Sequence, residues 1–204
     1  MNRLVIYIVL LIIIPLLVFG GTYKIKTINK TGVVNLSMGV GFYVPVLNWA
    51  TNAFTGGAGF NIDSGFGVSS HFGFFGGLNY IRLRADENLN TNFGTGRIRI
   101  WNIRGGMRYT MFTAVERSPF GEASLGYSWM KVGGTIGEKS QKLWFIDLRC
   151  GYELFVDKTK SIDLSTGLIY YLQHPDFNGL ALPSLEGARK AAIIPLRFNF
   201  NFYF

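Results

Sequence analysis

The sequence predicts an all-β fold, an eight-stranded antiparallel up-and-down transmembrane β-barrel over residues 33–204. Three observations carry that prediction. The chain is apolar without apolar blocks: hydrophobic residues make up 49% and charged residues only 16%, against about a quarter charged in soluble chains. Beyond residue 20 no apolar run approaches the roughly 20 residues of a spanning helix. From Val33 onward residue type alternates with the period of two that marks strands. The last segment alternates most strongly: Ala192, Ile194, Leu196, Phe198, Phe200, Phe202 and Phe204 oppose Arg197, Asn199, Asn201 and Tyr203.

The start of the chain has a different character. Asn2 and Arg3 precede an apolar run from Leu4 to Phe19, and Gly20, Gly21 and Thr22 follow. A short positive start, an apolar centre and small residues at its end describe a secretory signal peptide over 1–20, with cleavage near Gly20. The competing reading is an uncleaved inner-membrane anchor, but the run is short for a span and contains Pro15. Residues 21–32, with Lys24, Lys26 and Lys30, form a periplasmic lead-in.

Each strand can be justified in turn. The first, from Val33, sets Val34, Leu36, Met38, Val40 and Phe42 against Asn35, Ser37, Gly39, Gly41 and Tyr43. The second (56–69) sets Ala58, Phe60, Ile62, Phe66 and Val68 against Asn61, Asp63, Gly65 and Gly67. In the third (72–84) Phe72, Phe74, Leu78 and Tyr80 share a face, and the opposite face is mixed, with Phe75 and Ile81 beside Gly73, Gly77 and Asn79. The fourth (97–111) sets Trp101, Ile103, Met107, Tyr109 and Met111 against Asn102, Arg104, Arg108 and Thr110. The fifth (120–132) sets Ala123, Leu125, Tyr127 and Trp129 against Glu122, Ser124, Gly126 and Ser128. The sixth (142–155) sets Trp144, Ile146, Leu148, Cys150, Tyr152 and Leu154 against Asp147, Arg149, Gly151 and Glu153. The seventh (161–172) sets Ile162, Leu164, Leu168, Tyr170 and Leu172 against Asp163, Ser165, Gly167 and Tyr171.

A soluble sandwich would also alternate, but its polar face would meet water and carry lysine, glutamate and threonine. Here that face is glycine, serine, asparagine and charges of both signs, as suits the inside of a narrow barrel, while aromatics gather near strand ends as interfacial girdles. Backbone groups in hydrocarbon require closure, which an even count of strands satisfies. With Phe204 periplasmic, the connections near 44–55, 85–96, 133–141 and 173–190 are extracellular loops. Those near 69–71, 112–119 and 156–160 are periplasmic turns, shorter on average.

With its signal-like start, its glycine–aromatic alternation (GFGVSSHFGFFGGLNY) and its terminal RFNFNFYF, the segment 33–204 resembles the outer-membrane β-barrel domain family, the small eight-stranded OmpA/OmpX/OmpW type. The resemblance implies a bacterial outer-membrane location. It further implies that Phe198, Phe200, Phe202 and Phe204 serve as a signal to the barrel-assembly machinery. No peptidoglycan-binding domain is expected after the barrel.

Two residue sets follow from strand phase. Asp63, Arg104, Arg108, Glu122, Asp147, Arg149, Glu153, Asp163 and Arg197 face the interior, where buried charges must pair. An eight-stranded barrel has just enough room for its own side chains, so a plugged polar core is expected rather than a pore. Gly39, Gly41, Gly65 and Gly67 leave space that keeps a narrow channel or carrier for small or apolar solutes as the alternative. Arg82, Arg84, Arg97, Arg99, Lys131, Lys142 and Lys190 share the lipid-facing phase beside extracellular loops. They form an expected cationic collar for lipopolysaccharide phosphates, unless they are long side chains snorkelling at strand ends.

Other function classes are disfavoured. The net charge of +8 is scattered, with no basic helix or nucleic-acid motif, so no nucleic-acid partner is expected. The single Cys150 excludes an internal disulfide framework and any multi-cysteine metal site, and its lipid-facing phase makes it a small apolar residue. A lipid-modifying enzyme would need a nucleophile and base near the extracellular rim. His174 with Asp176 and Ser184 offers only loop residues, and His71 falls in a periplasmic turn. The last loop also carries Phe177, Leu180, Leu182 and Leu185, which suit adhesion. The expectation is a non-catalytic, cofactor-free, monomeric barrel acting as a structural or surface-interaction protein in contact with outer-membrane lipid.

Overall fold

The computed structural model describes residues 30–47, 54–85, 97–111, 117–134, 137–175 and 191–204. Eight strands follow one another: β1 Val34–Val46, β2 Phe54–Gly67, β3 Phe72–Ala85, β4 Arg97–Thr110, β5 Arg117–Gly134, β6 Gly137–Phe155, β7 Lys160–Tyr171 and β8 Ala191–Tyr203. Every neighbour pairs antiparallel in sequence order, and β8 returns to β1 to close the barrel. The closing ladder runs from Asn35 opposite Tyr203 to Val46 opposite Ala192. Below it Val34 and Phe204 exchange backbone hydrogen bonds at 3.2 and 2.8 Å. No helix among the described residues is long and apolar enough to cross a membrane; the strands supply the crossing.

Strand phase sorts side chains as the alternation predicts. Val40, Phe42, Phe66, Phe74, Leu125, Leu148, Phe198 and Phe200 are exposed on the outer wall, and Asp147, Glu153, Asp163, Arg197 and Asn201 are buried within. Cys150 is exposed on the outer wall as its phase implies. The interior works at van der Waals distance because glycines stand where side chains cross it. A Cβ at Gly77 would overlap the Asp63 carboxylate, and one at Gly126 would overlap the Phe145 ring. Gly76, one residue from Gly77 but facing outward, has no neighbour closer than 3.6 Å to that position.

Proline is normally excluded from paired strands because it cannot donate a ladder hydrogen bond, yet β8 contains Pro195. The β7–β8 ladder is interrupted there, passing from Thr166 opposite Leu196 to Ile169 opposite Ile193. The Thr166 hydroxyl donates to the Pro195 carbonyl at 2.9 Å, so that acceptor is not left bare.

The connections separate the two ends. At the end carrying the chain termini they are short: 68–71, 111–116 and 156–159 lie between the strands. In the last of these, Asp157 Oδ1 accepts from the Thr159 amide at 2.7 Å and its hydroxyl at 2.8 Å. These bonds hold the Asp157 carboxyl below the usual carboxylate range. At the far end one expectation fails. The extracellular loop near 133–141 is mostly strand, because β5 runs to Gly134 and β6 starts at Gly137, with Gly134 paired opposite Gly137. Gly133 and Gly134 of β5 and Gly137 to Gln141 of β6 extend the ladder beyond the strands that the alternation marked. The signal peptide (1–20) and most of the lead-in (21–29) lie outside the described residues, as do Asp176, Phe177, Leu180, Leu182, Ser184, Leu185 and Lys190.

The two glycine environments give a paired test. Gly77→Ala should destabilise the barrel by about 1–3 kcal/mol through overpacking, while Gly76→Ala should stay within about 0.5 kcal/mol. Urea titration of the folded, heat-modifiable gel band measures both, and equal effects would contradict the interior assignment.

Candidate functional site

The barrel interior is layered. At the terminal end, all nine charges that phase directed inward meet in one continuous ionic network. Arg104 donates to Asp63 at 2.6 Å and to Asp147 at 3.0 Å. Asp147 also faces Arg149 at 3.4 Å and Arg197 at 3.5 Å. Arg149 pairs with Glu122, which accepts from Arg108 at 3.2 Å. Arg108 reaches Glu153 at 2.9 Å and Asp163 at 3.3 Å. Asn199 and Asn201 donate to Asp163 at 2.8 and 3.2 Å, and Ser161 and Tyr203 donate to Glu153. A buried carboxylate or guanidinium is tolerable only under such pairing.

A tenth member comes from outside the wall. Lys30, just before β1, places its ammonium 2.6 Å from Glu153 Oε2. Sequence reasoning left it in the lead-in, because nothing in a strand pattern reports where a residue ahead of the first strand folds back. With it the network holds five cations and five carboxylates, a neutral set.

Aromatic rings take the faces of the guanidinium groups while carboxylates take the edges. Arg104 and Arg149 lie 5.0 and 5.7 Å from the Phe75 ring centre. Arg108 sits 3.5 Å from Phe120, and Arg197 lies 5.6 Å from Tyr43. Phe75, an odd residue on an otherwise polar face of β3, is therefore a cation platform.

Above the ionic layer runs a row of amides and a hydroxyl. Asn61, Asn79, Asn102 and Ser128 stand opposite one another across β2 to β5, and Asn79 donates to the Tyr43 hydroxyl at 3.1 Å. Beyond this row the interior changes character, which corrects the expectation of a polar filling throughout. Tyr43, Ile81, Leu83, Ile98, Ile100, Met130, Val132, Leu143, Phe145, Ile169, Tyr171, Ala191 and Ile193 form one buried apolar cluster in the far half of the barrel.

On the outer wall the described basic residues of the expected collar stand on β3 to β6, and its seventh member, Lys190, lies outside the described residues. Arg82 stands opposite Arg99, Arg99 opposite Lys131, and Arg84 opposite Arg97, with Lys142 opposite Trp129. Arg82, Arg84, Arg97, Arg99, Lys131 and Lys142 are all exposed. Across β7, β8, β1 and β2 the outward positions at this height are Tyr170, Leu172, Ala192, Ile194, Val44, Val46 and Ala58, and none among these described residues is basic. One row nearer the middle of the barrel lies an aromatic shelf: Phe60 to Tyr80 at 5.5 Å and Tyr80 to Trp101 at 4.7 Å, continued by Trp129 opposite Trp101. Like charges directly opposed across strands repel. Glu138 offsets part of this through its ion pair with Lys131 at 2.5 Å.

Of the residues weighed for catalysis, Asp176 and Ser184 lie outside the described residues. Ser70 Oγ lies 3.0 Å from His71 Nδ1, but the two are chain neighbours in an exposed turn, where His71 stacks on Tyr109. His174 follows β7 in irregular backbone.

A closed eight-stranded meander with an apolar outer wall and a filled polar and apolar bore defines a small transmembrane β-barrel of the outer-membrane type. Solved structures agree with that fold. Neisserial surface protein A matches with a TM-score of 0.60 at 13% identity, covering 85% of this chain and 99% of that one. Ail, the attachment invasion locus protein of Yersinia pestis, matches at 0.55 and 12% identity over 85% and 99%. OprG of Pseudomonas aeruginosa matches at 0.54 and 10% identity over 87% and 98%. No protein-family model matches the chain, and no curated protein matches its sequence.

The ionic layer has a shared hub. Asp147→Asn leaves Arg104, Arg149 and Arg197 short of one buried counter-charge and should cost about 3–5 kcal/mol. Asp157→Asn, in an exposed turn, should leave the unfolding midpoint unmoved. Urea unfolding in lipid vesicles compares the two, and a neutral Asp147→Asn would contradict the network.

Proposed function

We propose that this chain is a sealed, non-catalytic surface barrel of the bacterial outer membrane, with its termini in the periplasm and its basic rim among outer-leaflet phosphates. The single observation that carries the reading is the buried apolar layer around Ile98, Ile100 and Phe145. Its side chains fill the bore at the height where a solute path would have to pass. A narrow channel or carrier is the weaker reading because it requires that layer to move.

The basic sector supports lipopolysaccharide as a partner. Arg82, Arg99 and Lys131 lie side by side on neighbouring strands, which stand about 4.8 Å apart. That row can meet the phosphate oxygens of one headgroup by charge-assisted hydrogen bonds. The aromatic shelf beneath it marks the depth at which rings prefer the membrane interface. The terminal Phe198, Phe200, Phe202 and Phe204 are assigned to delivery through the barrel-assembly machinery, and the folded barrel to a monomer. The likeness to Ail, an attachment invasion locus protein, makes surface attachment the broader role to test.

Planar-bilayer recordings test the seal. The folded protein should give no reproducible current, whereas Ile98→Gly/Ile100→Gly/Phe145→Ala should conduct; steady current from the unaltered barrel would overturn the reading. For the rim, Arg82→Gln/Arg99→Gln/Lys131→Gln should lower co-purifying lipopolysaccharide about tenfold as several ionic contacts are lost together. Unchanged lipid content would remove that partner.

A further inference from the structure

The ionic layer contains an arrangement that the sealed-barrel reading does not use. Of its ten charges, nine sit on the wall as four arginines and five carboxylates. The tenth, Lys30, is carried by the lead-in. The wall alone is thus one positive charge short, and a buried carboxylate without a partner is costly. Lys30 supplies the balancing charge at Glu153, whose side chain is fully buried and whose other cation, Arg108, is shared with Glu122 and Asp163.

The surroundings of the Lys30 ammonium are built for an alkylammonium. Glu153 Oε2 lies 2.6 Å away, and the rings of Phe155 and Tyr203 present their faces at 5.0 and 5.3 Å. A carboxylate with two aromatic faces is an arrangement that recognises ammonium groups. Glu153 is also held in place by Arg108, Ser161 and Tyr203, so the acceptor is fixed by the wall rather than by Lys30.

Lys30 reaches the site from outside on a tight turn. The Val33 amide donates to the Lys30 carbonyl at 3.1 Å, and Gly32 takes φ 75°, the left-handed value that such a turn asks of its third residue. Lys30, Asn35, Arg108, Asp163 and Tyr203 border an opening at this end with about 60 Å³ of free space, which lies against the Lys30 and Tyr203 side of the site.

We infer that Glu153, Phe155 and Tyr203 form a receptor for a primary alkylammonium group at the terminal mouth of the barrel, and that Lys30 is its built-in ligand. A free primary amine of matching length competes with Lys30 on the same chemistry. Truncating Lys30 to alanine opens the site to it.

The test is chemical rescue of the full-length chain. Lys30→Ala should shorten the lifetime of the folded, heat-modifiable form at fixed temperature by about tenfold. Added n-propylammonium, which replaces the atoms removed, should restore it, while tetramethylammonium and sodium at matched ionic strength should not. The double variant Lys30→Ala/Glu153→Gln should not respond to n-propylammonium. If Lys30→Ala refolds poorly, refolding yield with n-propylammonium becomes the readout, and recovery supports the receptor. A Lys30→Ala protein as long-lived as the unaltered one overturns the proposal. So does equal rescue by sodium, or no recovery of lifetime or yield with n-propylammonium.

Discussion

In a bilayer core the backbone has no water to bond, so each amide must find another amide of the same chain. Closure of β8 onto β1, from Asn35–Tyr203 to Val46–Ala192, meets that requirement, and the other features follow from it. Closure fixes each strand's phase, because a one-residue slip would turn every side chain from lipid to lumen. It brings Phe204 beside Val34, placing the end of the chain at the mouth where Lys30 enters. It also leaves a bore so narrow that filling it becomes a problem of packing and charge rather than of transport.

That filling is solved differently at the two ends. Near the termini, five carboxylates are matched by four arginines and Lys30, with Phe75, Phe120 and Tyr43 covering guanidinium faces. Each arginine spans part of the bore to reach a different strand, so the layer ties β2, β4, β5, β6, β7 and β8 together across their backs. At the far end a cluster from Tyr43 to Ile193 does the same with dispersion and no charge. The asparagine row lies between them, where side chains that are polar but uncharged can border both environments.

Much of this was legible in the alternation, and the exceptions have physical causes. The apolar–polar phase within each strand is enough to send Asp63, Arg104 and Asp163 inward, since period two is a property of any strand. The apolar upper layer was hidden because the interior positions there break the polar pattern. Ile81 was seen only as an irregularity on β3, and Ile98 and Ile100 neighbour Arg97, Arg99 and Trp101 on a strand where both faces look mixed. The loop expected near 133–141 vanished into strand because Lys139, Ser140 and Gln141 are polar, and polarity is a poor guide beyond the lipid zone, where a ladder can continue into water. The continuity of the described basic row was beyond reach from single strands. It depends on which residues stand opposite one another, Arg82 on Arg99 and Arg99 on Lys131.

The pairing also changes what the net charge means. The chain carries +8 overall, and a basic chain ordinarily suggests an acidic macromolecule as partner. The buried network is neutral, so the whole excess of +8 is carried by residues that are not part of it. Charge so placed cannot compensate the interior carboxylates, and the described rim contains one acidic residue paired to it, Glu138 with Lys131. Six exposed basic residues on four adjoining strands, above a row of tyrosine and tryptophan, therefore face whatever anions lie at that depth. Under the proposed orientation those are the phosphates of headgroups, and the described basic residues would meet them from β3 to β6.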